Sequence, residues 1–78
     1  MRFKALVIQH LDFDGRDGKH IKTTKLLVNL AGFRIEEICT ELADDLDLFT
    51  ECYVTLGLKD TYRKDGKPNY KVLSLDLE

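Results

Sequence analysis

Ile35-Glu36-Glu37-Ile38-Cys39-Thr40-Glu41-Leu42-Ala43-Asp44-Asp45-Leu46-Asp47-Leu48-Phe49 is the stretch on which the fold turns. Its apolar residues Ile35, Ile38, Cys39, Leu42, Ala43, Leu46 and Phe49 recur at spacings of three and four, and this periodicity predicts one stripe of an amphipathic helix. The carboxylates occupy the other side. Glu36 and Glu37 fall in the first turn, where the helix dipole favours them, while Asp44, Asp45 and Asp47 oppose the dipole at the far end. A short strand through Phe33 and Ile35 competes for the first few positions.

The segments on either side read as strands. Phe3 to Leu11 is rich in strand formers, Asp12 to Gly18 is dense in turn residues, and Ile21 to Leu30 resumes with Thr, Leu and Val. That pattern is a β-hairpin with a polar tip. Ala31-Gly32 punctuates the chain. From Glu51 to Tyr62 the residues alternate again: Cys52, Val54, Leu56, Leu58 and Tyr62 point one way, and Tyr53, Thr55, Gly57, Lys59, Thr61 and Arg63 the other. Lys64-Asp65-Gly66-Lys67 supplies the positive φ of a second hairpin turn. Pro68 donates no ladder hydrogen bond and places the last strand at an edge. Leu73, Leu75 and Leu77 are expected inward, leaving Tyr70, Val72 and Ser74 outward. The predicted fold is α+β in ββαββ order: two hairpins joined by one amphipathic acidic helix, as a curved sheet or a small OB-like barrel.

Seventy-eight residues with five Gly and one Pro make a single domain with a thin core. A homodimer would bury more apolar surface and is expected on that ground. No apolar run reaches the eighteen residues of a membrane span. The opening Met-Arg-Phe-Lys-Ala-Leu-Val-Ile is interrupted by Gln9 and His10 before any cleavage site, so it reads as a first strand rather than a leader. Cys39 and Cys52, both expected in the core, form no disulfide framework, and a cytoplasmic location follows by default.

Charge is sorted along the chain. Met1 to Arg34 holds seven basic and three acidic residues (+4), Ile35 to Leu58 seven acidic and no basic ones (−7), and Lys59 to Glu78 five basic and four acidic ones (+1). The small net charge of −2 hides this polarity. On the outward face of the hairpins, Lys22, Lys25, Lys59, Arg63, Lys64 and Lys67 could neutralise phosphates while Tyr53 and Tyr70 stack bases. A plain solvated sheet face uses the same residue types. The acidic set Glu36, Glu37, Glu41, Asp44, Asp45 and Asp47 suits a basic surface on a partner protein, with an ordinary solvated helix face as the alternative.

The layout Phe3-Lys4, Asp14-Gly15-Arg16-Asp17-Gly18-Lys19-His20-Ile21-Lys22, Lys25-Leu26-Leu27-Val28, Cys52-Tyr53-Val54-Thr55-Leu56 and Gly66-Lys67-Pro68 resembles small phage and plasmid single-stranded-DNA-binding proteins. The filamentous-phage helix-destabilising proteins belong to that group. The resemblance covers the two hairpins, about half the chain, through short strand-turn-strand patterns. It implies a five-stranded OB-like barrel, dimerisation, and DNA tracking across Tyr and Lys/Arg side chains in the host cytoplasm. The acidic middle departs from it. In size and charge the chain also resembles compact phage-encoded inhibitors, anti-CRISPR proteins among them, which occupy a nucleic-acid site on an enzyme.

Nothing in the sequence points to catalysis or a cofactor. Phosphate-loop, nucleophile-elbow and zinc-protease motifs are missing. Glu36 and Glu37 diverge by about 100° on a helix. His10, Asp12, Asp14 and His20 share a face if the first strand continues, but Asp-Phe-Asp-Gly-Arg-Asp-Gly serves a turn equally well, and no metal is expected.

Overall fold

Where a helix is expected, the chain runs as a strand. The computed structural model describes residues 2–30, 34–66 and 68–77. It contains β1 (Arg2–Asp14), β2 (His20–Leu30), β3 (Arg34–Thr40), β4 (Glu51–Tyr62) and β5 (Pro68–Asp76), with no helix among the described residues. All pairings are antiparallel in one sheet ordered β3-β2-β1-β4-β5, so both hairpins share that sheet through β1 and β4. The ββαββ reading is overturned: the protein is all-β.

Three physical causes defeat the helix. Ile35, Ile38 and Thr40 are β-branched and lose little as a strand. None of the residues just before Ile35 is a Ser, Thr, Asp or Asn that could cap a helix start. β2 also needs a second partner, and β3 supplies it in continuous register from Thr24 opposite Thr40 to Leu30 opposite Arg34. The threefold and fourfold spacing then divides between a strand and a run of turns. Ile38 and Ala43 are buried, but Ile35 (64% exposed), Leu42 (53%) and Phe49 (71%) are not. Cys39 is exposed as well, whereas Cys52 is fully buried and its thiol pKa is raised by that burial. The competing strand through Phe33 and Ile35 starts, in the described residues, at Arg34; Ala31, Gly32 and Phe33 lie outside them.

Residues 41–50 form successive turns that dock on β1. The Phe49 amide donates to the Val7 carbonyl at 2.6 Å, and the Val7 amide donates to the Thr50 carbonyl at 3.0 Å, carrying β1–β4 bonding on from Leu6 to Val7, where the β1–β2 register shifts. Phe49 pays for this position with φ +66°, a left-handed backbone. Phe49→Gly is therefore expected to raise stability by roughly 0.5–1 kcal/mol in urea denaturation. On a helix the same change would cost about 1 kcal/mol, so the sign separates the two folds.

The inner face of the curled sheet holds the core. Ala5, Val7, Leu26, Val28, Leu30, Ile38, Cys52 and Val54 are buried, with Ala43 from the turns closing one end. Phe3, Leu46, Leu56, Tyr70, Val72 and Leu75 pack around them. Glu36 lies at the margin of this face, its side chain only 12% exposed. It accepts from Arg34 at 3.2 Å and from Arg63 at 2.8 Å, tying the edge strand β3 to the far end of the β4–β5 hairpin. The sheet thus curls until its edges face each other, without a ladder between β3 and β5.

The last strand corrects a second expectation. Thr55 pairs with Ser74 but Leu56 with Val72, so Leu73 is an extra residue and the alternation flips there. Tyr70 and Val72, expected outward, face the core; Leu73 (54% exposed) and Leu77 (55%), expected inward, do not. Leu58, also expected inward, is 63% exposed. The side chains of Thr61 and Tyr62 lie outside the described set.

Candidate nucleic-acid interface

Antiparallel register defines what shares the outer face, because residues directly opposite each other project to the same side. One row runs Ile35–Asn29–Lys4–Tyr53–Asp76 and the next runs Glu37–Leu27–Leu6–Glu51. A third joins Arg2, Thr55 and Ser74, and beyond it Gly57 stands opposite Lys71. The β4–β5 register shifts after Leu58, and Lys59 lines a pocket between β3 and the β4–β5 hairpin. Tyr53 is central. The Arg2 guanidinium lies 4.3 Å from its ring centroid, a cation–π pair that stacks two flat groups. A Cβ at Gly57 would sit 3.0–3.2 Å from the exposed Leu73 side chain, which would have to give by a few tenths of an ångström. Arg2, Lys4 and Lys71 project from this part of the face, against the carboxylates Glu51 and Asp76. Lys4 pairs with Glu51 at 3.4 Å, both well exposed, a contact of little net stabilisation.

The structure disperses the other residues singled out from sequence. Lys25 shares the outer face but pairs with Glu37 at 3.7 Å. Lys22 stands on the part of the β1–β2 hairpin that extends past β4, opposite Asp12. Arg63 is engaged by Glu36 and lies 3.5 Å from Asp65; Lys64 is exposed at that turn, where Gly66 adopts φ +80°. Tyr70 is turned to the core side, where a pocket of about 120 Å³ between β3 and the β4–β5 hairpin is lined by Tyr70, Lys59, Arg63 and Glu36. Lys67 lies outside the described residues. The expected groove across both hairpins therefore contracts to Tyr53, joined by Arg2, Lys4 and Lys71, while Lys59 goes with Tyr70 and Arg63 to the pocket. Period two in the first strand could have placed Arg2 and Lys4 opposite Phe3, Ala5 and Val7. Lys71 was hidden by the extra residue in β5.

The acidic set does not form one face either. Glu36 and Glu37 project to opposite sides of β3, each held by a cation of this same chain. Asp44 is half-buried and accepts from the Thr24 hydroxyl at 2.8 Å. Only Glu41, Asp45 and Asp47 stand exposed in the turns, with no ion pair among the described residues.

Two exposed histidines make side-chain bonds on the first hairpin. His10 Nδ1 lies 2.8 Å from the Thr24 hydroxyl and Nε2 lies 2.6 Å from the Leu46 carbonyl. The Thr24 hydroxyl also donates to Asp44. His20 reaches Asp12 through Nε2 and Asp14 through Nδ1 at 3.1 Å. His20, Asp12 and Asp14 converge as the alternation suggested, without His10; no group of three or more ligands suited to a metal occurs among the described residues.

The chain matches no family model, and neither a curated protein nor a solved structure shows significant similarity to it.

Proposed function

We propose that this protein binds single-stranded nucleic acid across the outer face of β1, β4 and β5, by electrostatic and stacking contacts without chemistry. The observation that carries the proposal is the Arg2 guanidinium set over the Tyr53 ring, with Lys4 and Lys71 around it and the hydroxyls of Thr55 and Ser74 in the adjoining row. A base meets a guanidinium plane already backed by a phenol ring, while the ammonium groups take phosphates. A five-stranded antiparallel sheet, curled and incompletely closed, is an architecture that oligonucleotide binders use. No helix among the described residues is long and apolar enough to cross a membrane.

Fluorescence anisotropy with a labelled oligo-dT of about 15 nucleotides tests this. Three phosphate contacts on a single strand predict a log–log salt slope of about −2. Absence of binding at low salt overturns the proposal.

A further inference from the structure

Three residues singled out from the sequence for nucleic-acid binding do not reach the outer face. Lys59, Arg63 and Tyr70 meet instead where β3 faces the β4–β5 hairpin, and with Asn69, Glu36 and Glu37 they line the pocket of about 120 Å³ there. We propose that this pocket is an oxyanion site that takes a phosphate group. The site goes beyond the outer-face reading and does not rest on it.

The balance of donors and acceptors identifies the ligand as an anion. Lys59 has no ion pair, and neither the Asn69 amide nor the Tyr70 hydroxyl has a side-chain hydrogen bond, among the described residues. No side-chain nitrogen or oxygen among them is buried without a partner, so these donors stay open to solvent. The carboxylates, by contrast, are engaged: Glu36 by Arg34 and Arg63, Glu37 by Lys25. Glu36 and Asp65 also fix the Arg63 guanidinium, at 2.8 and 3.5 Å. Those three cations and three carboxylates cancel, which leaves Lys59 as the surplus charge; Asp60, its chain neighbour, does not line the pocket. A cationic ligand would meet acceptors already paired. An oxyanion meets a free ammonium and two neutral groups that can donate, and charge-assisted bonds of that kind are the stronger ones. A volume of about 120 Å³ is the liquid share of about four water molecules, which suits a tetrahedral oxyanion and is too small for a base with its sugar. The pocket is open to solvent, so the phosphate can belong to a small phosphorylated molecule or to a strand passing over the hairpin.

The test is a two-dimensional NMR titration of the labelled protein with inorganic phosphate at constant ionic strength, on the wild type, Lys59→Gln and Lys64→Gln. Lys64 is exposed at the tip of the same hairpin and does not line the pocket. Saturable shifts at residues 36–39, 59, 63, 69 and 70 are expected. Lys59→Gln should weaken the affinity roughly tenfold, because it removes one charge-assisted bond, and Lys64→Gln should leave it unchanged. The spectrum itself reports whether each variant is folded. Absence of saturable shifts at these positions overturns the site, and so does equal weakening by both variants, which would show a diffuse attraction to the hairpin. Anisotropy with labelled oligo-dT then separates the two sources. If Lys59→Gln weakens oligo-dT binding along with phosphate binding, the pocket holds a strand phosphate. If oligo-dT binding stays unchanged while phosphate binding falls, the pocket serves a small phosphorylated molecule. Failure of the wild type to bind oligo-dT overturns the outer-face reading alone.

Discussion

Replacing Arg2 and Lys71 together by glutamate is expected to weaken oligo-dT binding by at least about a hundredfold at low salt. Each neutralised phosphate contributes about 0.7 to the salt slope on a single strand, so the slope should fall by about 1.4 as affinity drops. The two residues flank Tyr53 and Gly57 from opposite sides, Arg2 on β1 and Lys71 on β5, and neither has an ion pair among the described residues. Both are exposed, so reversal leaves the core untouched and the melting temperature close to wild type. The variant also loses the guanidinium from the Tyr53 ring, removing stacking together with charge. Asp45→Lys with Asp47→Lys is the control: it adds positive charge to the β3–β4 turns and should leave binding unchanged or slightly stronger. The reverse pattern would return the acidic turns to the centre of the function.

Leu26→Ala is expected to cost about 2–5 kcal/mol, read as a fall in the urea midpoint with little change in slope. Leu26 is fully buried, opposite Val7 on one side and Ile38 on the other, so its removal opens a cavity where three strands meet. Against a total of roughly 4–12 kcal/mol for a chain of this size, the loss leaves a substantial unfolded fraction. Leu73→Ala, by contrast, removes a side chain that is 54% exposed and should cost well under half as much. The sequence alternation ranks Leu73 with the core; the structure reverses that order, and the pair of midpoints tests it.

The parts of the fold legible in the sequence are those with redundant local signals. Asp65-Gly66 demands a positive φ at one position, and Gly66 has it. Pro68 begins an edge strand because it lacks a donor. The inward set Cys52, Val54 and Leu56 follows from alternation alone. The middle was illegible because its deciding term is non-local. Glu36 looks like a solvent-facing helical residue until Arg63, far along the chain, arrives beside it. Ile35 and Ile38 fit either period, and only the open edge of β2 selects the strand. The candidate site was half legible for a related reason. Tyr53 follows from period two, but a single extra residue at Leu73 exchanges Tyr70 for Lys71 on the outer face, and no turn signal announces it.

The most direct measurement is a two-dimensional NMR titration of the labelled protein with oligo-dT at low salt, read amide by amide. Shifts concentrated at residues 2–6, 51–57 and 71–76 are the predicted result, because these positions carry or border the Arg2–Tyr53 pair on the outer face. Shifts centred on residues 41–50, or none at saturating oligonucleotide, would contradict the assignment of the outer face to single-stranded nucleic acid.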